Sequence, residues 1–159
     1  MTETAAYHEA GHALLGVLSG ARVISVTIDP DWDDAPQRYG DTQLEWPVEG
    51  SLDRAWVEKS VLVALAGPVA EMIHSGEPFH PGLVPEWASD WQIAWEAASA
   101  VITEDRKRLA WLEDCTRTLY QLLRDDRQWA ALAAIVDHLL AHETLEGDEV
   151  EEILEQWLA

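Results

Sequence analysis

Cysteine and positive charge are both scarce in this sequence. Cys115 is the single cysteine among 159 residues, so no disulfide can form within the chain, and we expect a reducing compartment such as the cytoplasm. Ten Lys and Arg residues stand against 30 Asp and Glu, which gives a net charge of −20 at pH 7. Because such a surface repels phosphate groups, we expect neither nucleic acid nor a membrane as a partner.

Long hydrophobic runs and linkers are absent as well. The longest apolar run, at 61–70, is far shorter than the roughly 20 residues that span a bilayer. The first residues lack the pattern of a secretory signal, and no segment is repeated or rich in both Ser and Gly. With 48% hydrophobic residues, the chain can bury a substantial core. We therefore expect one domain over residues 1–159.

The hydrophobic periodicity predicts an α+β domain that is mostly α-helical. A first helix at 4–18 is followed by short strands at 21–28 and 39–46 and by a helix at 51–75. Gly67-Pro68 predicts a kink or a break in that helix, because proline removes a backbone hydrogen bond. The pattern is then helical to the end, with helices at about 86–103, 105–125 and 127–143 and a short one after Gly147.

The strongest signal for chemistry is His8-Glu9-Ala10-Gly11-His12, an H-E-x-x-H motif in the first helix. Positions i and i+4 share one helix face, so both imidazoles can reach one metal ion at roughly 2.0–2.1 Å. Glu9 can take a proton from a water that the metal activates. Gly11 costs roughly 1 kcal/mol relative to Ala in a helix, so it marks either close approach of another backbone or a tolerated small residue. The motif alone also fits two surface histidines on an amphipathic helix.

A catalytic zinc site needs a third protein ligand and one open position. The residue types alone leave the third ligand undecided. Six acidic residues or histidines in later segments are candidates: Glu71, His74, His80, Glu86, Asp90 and Glu96.

The residues around this motif resemble the metal-binding helix of FtsH-type zinc metalloproteases, the peptidase part of ATP-dependent membrane proteases. The resemblance covers Ala-Tyr-His-Glu-Ala-Gly-His-Ala-Leu at 6–14 and continues in order along the chain. Segments 23–28 and 39–42 are similar to the family's strand and its G-x-T segment. Leu-Ala-Gly-Pro-Val-Ala-Glu at 65–71 is similar to its L-G-G-R-A-A-E helix.

Two later segments extend the resemblance and imply roles for three acids. Ala-Ser-Asp-Trp-Gln-Ile-Ala at 88–94 resembles the family's A-S-N-D segment, and 139–150 resembles its ending. The aspartate of that segment is the family's third zinc ligand, which implies Asp90 here. Glu71 matches a family acid that either orients one of the two histidines or is structural. Glu86, one turn before Asp90, is a further supporting residue.

The resemblance implies a zinc-dependent metalloendopeptidase with a zincin-like helix, a small β-sheet and a C-terminal helical bundle. His8, His12 and Asp90 would hold Zn²⁺, and Glu9 would act as the general base. Residues 1–85 would carry the metal helix and the strands, and 86–159 the third ligand. The substrate would be an unfolded polypeptide lying along the exposed edge of the strand at 39–46 or at 23–28.

Departures from the family leave a second function class open. Pro68 replaces the arginine of the family's helix, and Ser89-Asp90 replaces its N-D pair. The family's membrane helices and ATPase domain have no counterpart in this sequence. The alternatives are therefore a weak or inactive FtsH-like module that binds polypeptides or a regulator, and a peptidase subunit that works with a separate ATPase. The family works as a hexamer, and the sequence leaves both a homo-oligomer and a monomer open for this chain.

Three tryptophans recur at helical spacing in the segment that contains Asp90. Trp87, Trp91 and Trp95 follow one another at intervals of four residues, so they share one helix face. This spacing is typical of a core-facing stripe, and an interface with a partner is the alternative.

Overall fold

Six α-helices and three short strands form the part of the chain that the computed structural model describes, namely residues 2–29, 41–47, 53–77 and 80–158. Two 3₁₀ turns, Pro81–Leu83 and Pro85–Trp87, precede the third helix. The elements in chain order are α1 (Thr2–Leu18), β1 (Arg22–Thr27), β2 (Asp41–Glu45), α2 (Arg54–Ser75), α3 (Ala88–Ser99), α4 (Asp105–Arg124), α5 (Asp126–His142), β3 (Thr144–Glu146) and α6 (Gly147–Leu158). The predicted α+β, mostly helical class is confirmed.

Helix α2 is the central element, with α1, α3 and α4 packed against it. It begins after Asp53, whose side chain accepts a hydrogen bond from the N–H of Trp56 at 2.8 Å, and it ends at Gly76, which has a positive φ of 78°. Val61 and every residue of 63–70 are buried. A helix that is apolar on all sides belongs in the interior, so the longest apolar run of the sequence forms the core.

Helix α2 continues without a break through Pro68, where the sequence predicts a kink or a break. The proline lacks the N–H that would donate to the carbonyl of Ala64. Leu65, Ala66 and Val69 around it have no exposed surface. The burial of these side chains outweighs the lost hydrogen bond and keeps the segment helical.

The sheet has the strand order β2-β1-β3, with both pairs antiparallel. Strand β1 pairs with β2 from Arg22↔Glu45 to Thr27↔Asp41 and with β3 from Ser25↔Glu146 to Thr27↔Thr144. Because β1 is paired on both sides, the strand at 23–28 cannot offer a free edge, and that alternative is wrong. The predicted strand at 39–46 corresponds to β2, which pairs on one side only among the described residues.

Two glycines allow backbones to approach closely. A Cβ on Gly11 would lie 2.5 Å from the carbonyl oxygen of Ala66, which confirms the predicted close packing of the metal helix, here against α2. A Cβ on Gly147 would lie 1.8 Å from the carbonyl oxygen of Val23. The start of α6 therefore packs directly on β1, and the segments 1–85 and 86–159 share one sheet.

The stripe of tryptophans packs mainly inward. Trp87 is 5% exposed, and Trp91 and Trp95 are partly buried against the core with their ring centroids 6.5 Å apart. The core-facing interpretation therefore fits this face of α3. In the described part of the chain no helix is both long enough and apolar enough to cross a membrane.

Candidate metal centre

Three side chains from two helices converge on one point. Helix α1 places His8 and His12 one turn apart on one face, and the first turn of α3 supplies Asp90. The two Nε2 atoms are 3.1 Å apart, His8 Nε2 is 2.8 Å from Asp90 Oδ2, and His12 Nε2 is 3.5 Å from Asp90 Oδ1. Of the six candidate third ligands, Asp90 is the one whose carboxylate lies at the Nε2 atoms of both histidines.

Both histidines are held by their other ring nitrogen. His8 Nδ1 lies 2.5 Å from Glu71 Oε2, and His12 Nδ1 lies 2.7 Å from the carbonyl oxygen of Val63. A carbonyl oxygen can only accept, so His12 Nδ1 carries a proton and donates it. These bonds direct the Nε2 atoms of both rings toward each other and toward a carboxylate, an arrangement that a shared cation stabilises.

The spacing of the donor atoms fits a divalent metal ion. Ligands at roughly 2.0–2.1 Å from a tetrahedral zinc lie about 3.3 Å from one another. The two Nε2 atoms are 3.1 Å apart, and they lie 2.8 and 3.5 Å from two different oxygens of Asp90, so these separations are close to that value. Two imidazoles and one carboxylate suit Zn²⁺ and also Fe²⁺ or Mn²⁺, so the donor set fits a metal without selecting zinc.

The charges at the cluster shift the pKa of all three groups. Burial lowers the pKa of His8, but hydrogen bonds with Asp90 and Glu71 raise it to about 10. Burial also lowers the pKa of His12, and the charge and hydrogen bond of Asp90 outweigh that effect. Burial raises the pKa of Asp90, whereas the two histidines lower it well below its usual value. The metal-free cluster therefore holds a proton where a metal ion would bind.

Glu71 supports His8 and is itself held by a tryptophan. The sequence left open whether Glu71 orients one of the histidines or is structural, and its contact with His8 favours the first role. The indole Nε1 of Trp87 donates to the same oxygen, Oε2, at 2.6 Å. The sequence did not indicate Trp87 as a site residue, because its spacing marked it as a core residue or, alternatively, as part of an interface.

Gly67 of α2 lies directly against the two imidazoles. A Cβ at this position would be 2.5 Å from His12 Nε2 and 2.7 Å from His8 Nε2. The missing side chain therefore leaves the space in which the ligand atoms meet. In the sequence this glycine stands in Gly67-Pro68, for which a kink or a break is predicted, and in the segment that resembles the family's L-G-G-R-A-A-E helix.

Glu9 lies beside the cluster and is anchored by strand β2. It is 8% exposed, and its Oε1 accepts a hydrogen bond from Thr42 Oγ1 at 2.6 Å. Its negative charge contributes to raising the pKa of both His8 and His12, though less than Asp90 does. Within the described residues Oε2 has no hydrogen-bond partner. One carboxylate oxygen of Glu9 is thus held by strand β2.

Glu86, the other predicted supporting residue, is not at the cluster. It is exposed in the second 3₁₀ turn, and among the described residues it makes no hydrogen bond or ion pair. Trp87, its neighbour in sequence, makes the supporting contact instead.

The remaining candidate ligands contact partners outside the cluster. These pairs are His74 with Glu3 at 3.2 Å, His80 with Glu113 at 3.1 Å, and Glu96 with Gln92 at 2.8 Å.

A comparison with protein-family profiles finds no match to this chain, and a comparison with curated proteins finds none either. The resemblance to FtsH-type peptidases rests on the sequence motifs, and membership of that family stays a prediction.

Proposed function

We propose that this protein is a metallopeptidase with Zn²⁺ as its metal and Glu9 as its general base. The observation that carries the proposal is the convergence of His8, His12 and Asp90, with the Nδ1 atoms of both rings held by acceptors. Three ligands of this type leave one position open, as in catalytic rather than structural zinc sites.

The roles of the chain's own residues follow from their contacts. His8, His12 and Asp90 would hold the metal, which when bound supplies a Lewis acid that polarises the scissile carbonyl and lowers the pKa of water. Glu9 would accept a proton at Oε2 and return it to the leaving amine. Thr42 keeps Oε1 in place, so that the base does not rotate away from the cluster.

Strand β2 is the proposed binding edge for the substrate. It carries Thr42, so a polypeptide that adds to this edge would pass close to Glu9. Only an extended chain can add to a strand edge, so an unfolded polypeptide is the proposed substrate, and a folded one would need a separate ATPase to unfold it. The lone cysteine agrees with activity in a reducing compartment such as the cytoplasm.

Zinc content and cleavage of unfolded casein test this proposal in four proteins. We expect about one zinc per chain in the wild type and in Glu9→Gln, with cleavage reduced by roughly 10²–10⁴-fold in Glu9→Gln. Asp90→Ala should lose the metal. Glu86→Gln is the matched control, because this acid lies near Asp90 in sequence but outside the cluster, and it should change neither quantity.

Two results would contradict the proposal in different ways. A wild-type protein that binds no metal would overturn the ligand set. A zinc-loaded wild type that binds unfolded casein without cutting it would favour the polypeptide-binding module.

A further inference from the structure

Trp87 occupies the junction between the second 3₁₀ turn and α3. It is the N-cap residue of α3, and Asp90 follows three residues later in the first turn of that helix. The side chain is 5% exposed and belongs to the main hydrophobic core. Trp87 is therefore held in the core directly before the helix that carries Asp90.

The indole of Trp87 shares its hydrogen-bond acceptor with a metal ligand. Trp87 Nε1 lies 2.6 Å from Glu71 Oε2, and His8 Nδ1 lies 2.5 Å from the same oxygen. Two donors on one oxygen leave the Glu71 carboxylate little freedom to rotate. Helix α2 thus connects His8 of α1 to the start of α3 through a single atom.

These contacts complete a ring around the cluster. It runs from His8 through Glu71 to Trp87, along the backbone to Asp90, and back to His8 at 2.8 Å. We propose that Trp87 is a positioning residue of the metal centre, whose indole N–H holds Glu71 against His8 and holds Asp90 within reach of both histidines. The proposal rests on metal binding at this cluster and is independent of peptidase activity.

A substitution that removes only the indole N–H of Trp87 separates the hydrogen bond to Glu71 from the packing of the ring. Trp87→Phe keeps an aromatic ring in the core and loses the donor to Glu71. We expect the affinity for Zn²⁺, measured on the full chain by competition with a chromophoric chelator, to fall by about 10–100-fold. Trp91→Phe is the matched control, because Trp91 lies one turn along α3 and contacts Trp95 and His80 rather than Glu71, and it should leave the affinity unchanged.

A double-mutant cycle tests whether Trp87 acts through Glu71. Glu71→Ala removes the shared acceptor, so adding Trp87→Phe to it should cause little further loss of Zn²⁺ affinity. Losses that multiply in the double variant would overturn the proposal, and so would full affinity in Trp87→Phe.

A second measurement covers the case in which Trp87→Phe does not fold. In ¹⁵N-labelled protein, Glu71→Ala should shift the indole N–H resonance of Trp87 and leave that of Trp91 in place. The same variant should also bind Zn²⁺ more weakly than the wild type. Unchanged affinity in Glu71→Ala would contradict the proposed role. A wild type without metal binding would instead remove the proposed function on which this inference depends.

Discussion

At the scale of single residues, the metal centre depends on an absent side chain as well as on its ligands. Gly67 lies where any Cβ would approach both Nε2 atoms to within 2.7 Å. Real Cβ atoms do not come so close to other heavy atoms, so the imidazoles would have to move. The rings cannot move freely, because Glu71 and the carbonyl of Val63 hold their Nδ1 atoms.

The first prediction is that Gly67→Ala weakens metal binding. We expect the affinity for Zn²⁺ to fall by about tenfold or more, since a metal site tolerates displacements of only about 0.5 Å. Urea unfolding of the metal-free variant is the control for folding stability, which the substitution also changes because alanine is favoured over glycine in a helix by about 1 kcal/mol. A folded variant that binds zinc as tightly as the wild type would show that the imidazoles have more room than the structure gives them.

The second prediction concerns the stability of the metal-free protein as the pH rises. The pKa of His8 is raised from 6.5 to about 10, so its contribution to the free energy of unfolding is complete below pH 6.5 and is lost as the pH approaches 10. The pKa of Asp90 is lowered from 3.8, so its contribution is present above that value and is lost in stronger acid. The cluster therefore stabilises the metal-free protein most between about pH 3.8 and pH 6.5, where both contributions are present.

Urea unfolding with a chelator present, measured from about pH 5 to 10, checks this prediction. Asp90→Asn removes the charge that raises the pKa of both histidines, so its stability should depend less on pH over this range than that of the wild type. Parallel pH profiles of the two proteins would show that the cluster does not hold a proton in the metal-free state.

Sequence motifs predicted the ligands of the candidate centre and Glu71, but not the other residues that surround them. His8, Glu9 and His12 are adjacent in the chain, so their spacing alone indicated a shared site. The roles of Gly67, Thr42 and Trp87 depend on contacts between α1, α2, β2 and the start of α3. Such tertiary contacts leave no periodic pattern in a single sequence.

At the scale of elements, the junction between β3 and α6 is the feature that the sequence predicted least well. The long helices have hydrophobic periodicity over many residues, and their positions were predicted closely. Strand β3 has three residues, too few for an alternating pattern, and it forms because β1 offers an edge beside Leu145. The predicted helix at 86–103 is shorter in the structure, Ala88–Ser99, and it starts later because Pro85 begins a 3₁₀ turn that extends to Trp87.

The third prediction is that Gly147→Ala destabilises this junction. A Cβ there would lie 1.8 Å from the carbonyl oxygen of Val23, so α6 would have to move off β1. We expect the free energy of unfolding to fall by about 1–3 kcal/mol, as in other overpacked sites. Urea denaturation measures the change. The neighbouring exposed substitution Asp148→Ala should stay within about 0.5 kcal/mol of the wild type, and equal stability of the two variants would contradict the close contact.

At the scale of the whole molecule, the dominant feature is the negative charge. Thirty acidic residues give a net charge of −20 at pH 7. Only a few acids have a role at the candidate site, namely Glu9, Glu71 and Asp90. Charge of one sign favours solubility and destabilises the compact state through self-repulsion.

The fourth prediction is that salt stabilises this protein. Raising NaCl from about 0.02 M to about 0.5 M shortens the Debye length from roughly 20 Å to about 4 Å, which screens the repulsion. We expect Tm to rise by about 2–4 °C for each kcal/mol of repulsion that is relieved. Calorimetry of the metal-free protein measures the change in Tm. Sucrose at matched osmolarity is the control for general exclusion effects, and a Tm that does not rise with NaCl would contradict the argument.

The pairing of β1 with β3 also sets an order of events during translation. The H-E-x-x-H helix and β1 emerge from the ribosome before α3 delivers Asp90 and before β3 covers the second edge of β1. A nascent chain therefore has two of the proposed metal ligands without the third, next to a strand that can pair with the wrong partner. Loading of the proposed metal would then be a late step in biogenesis, after the contacts that are most distant along the chain have formed.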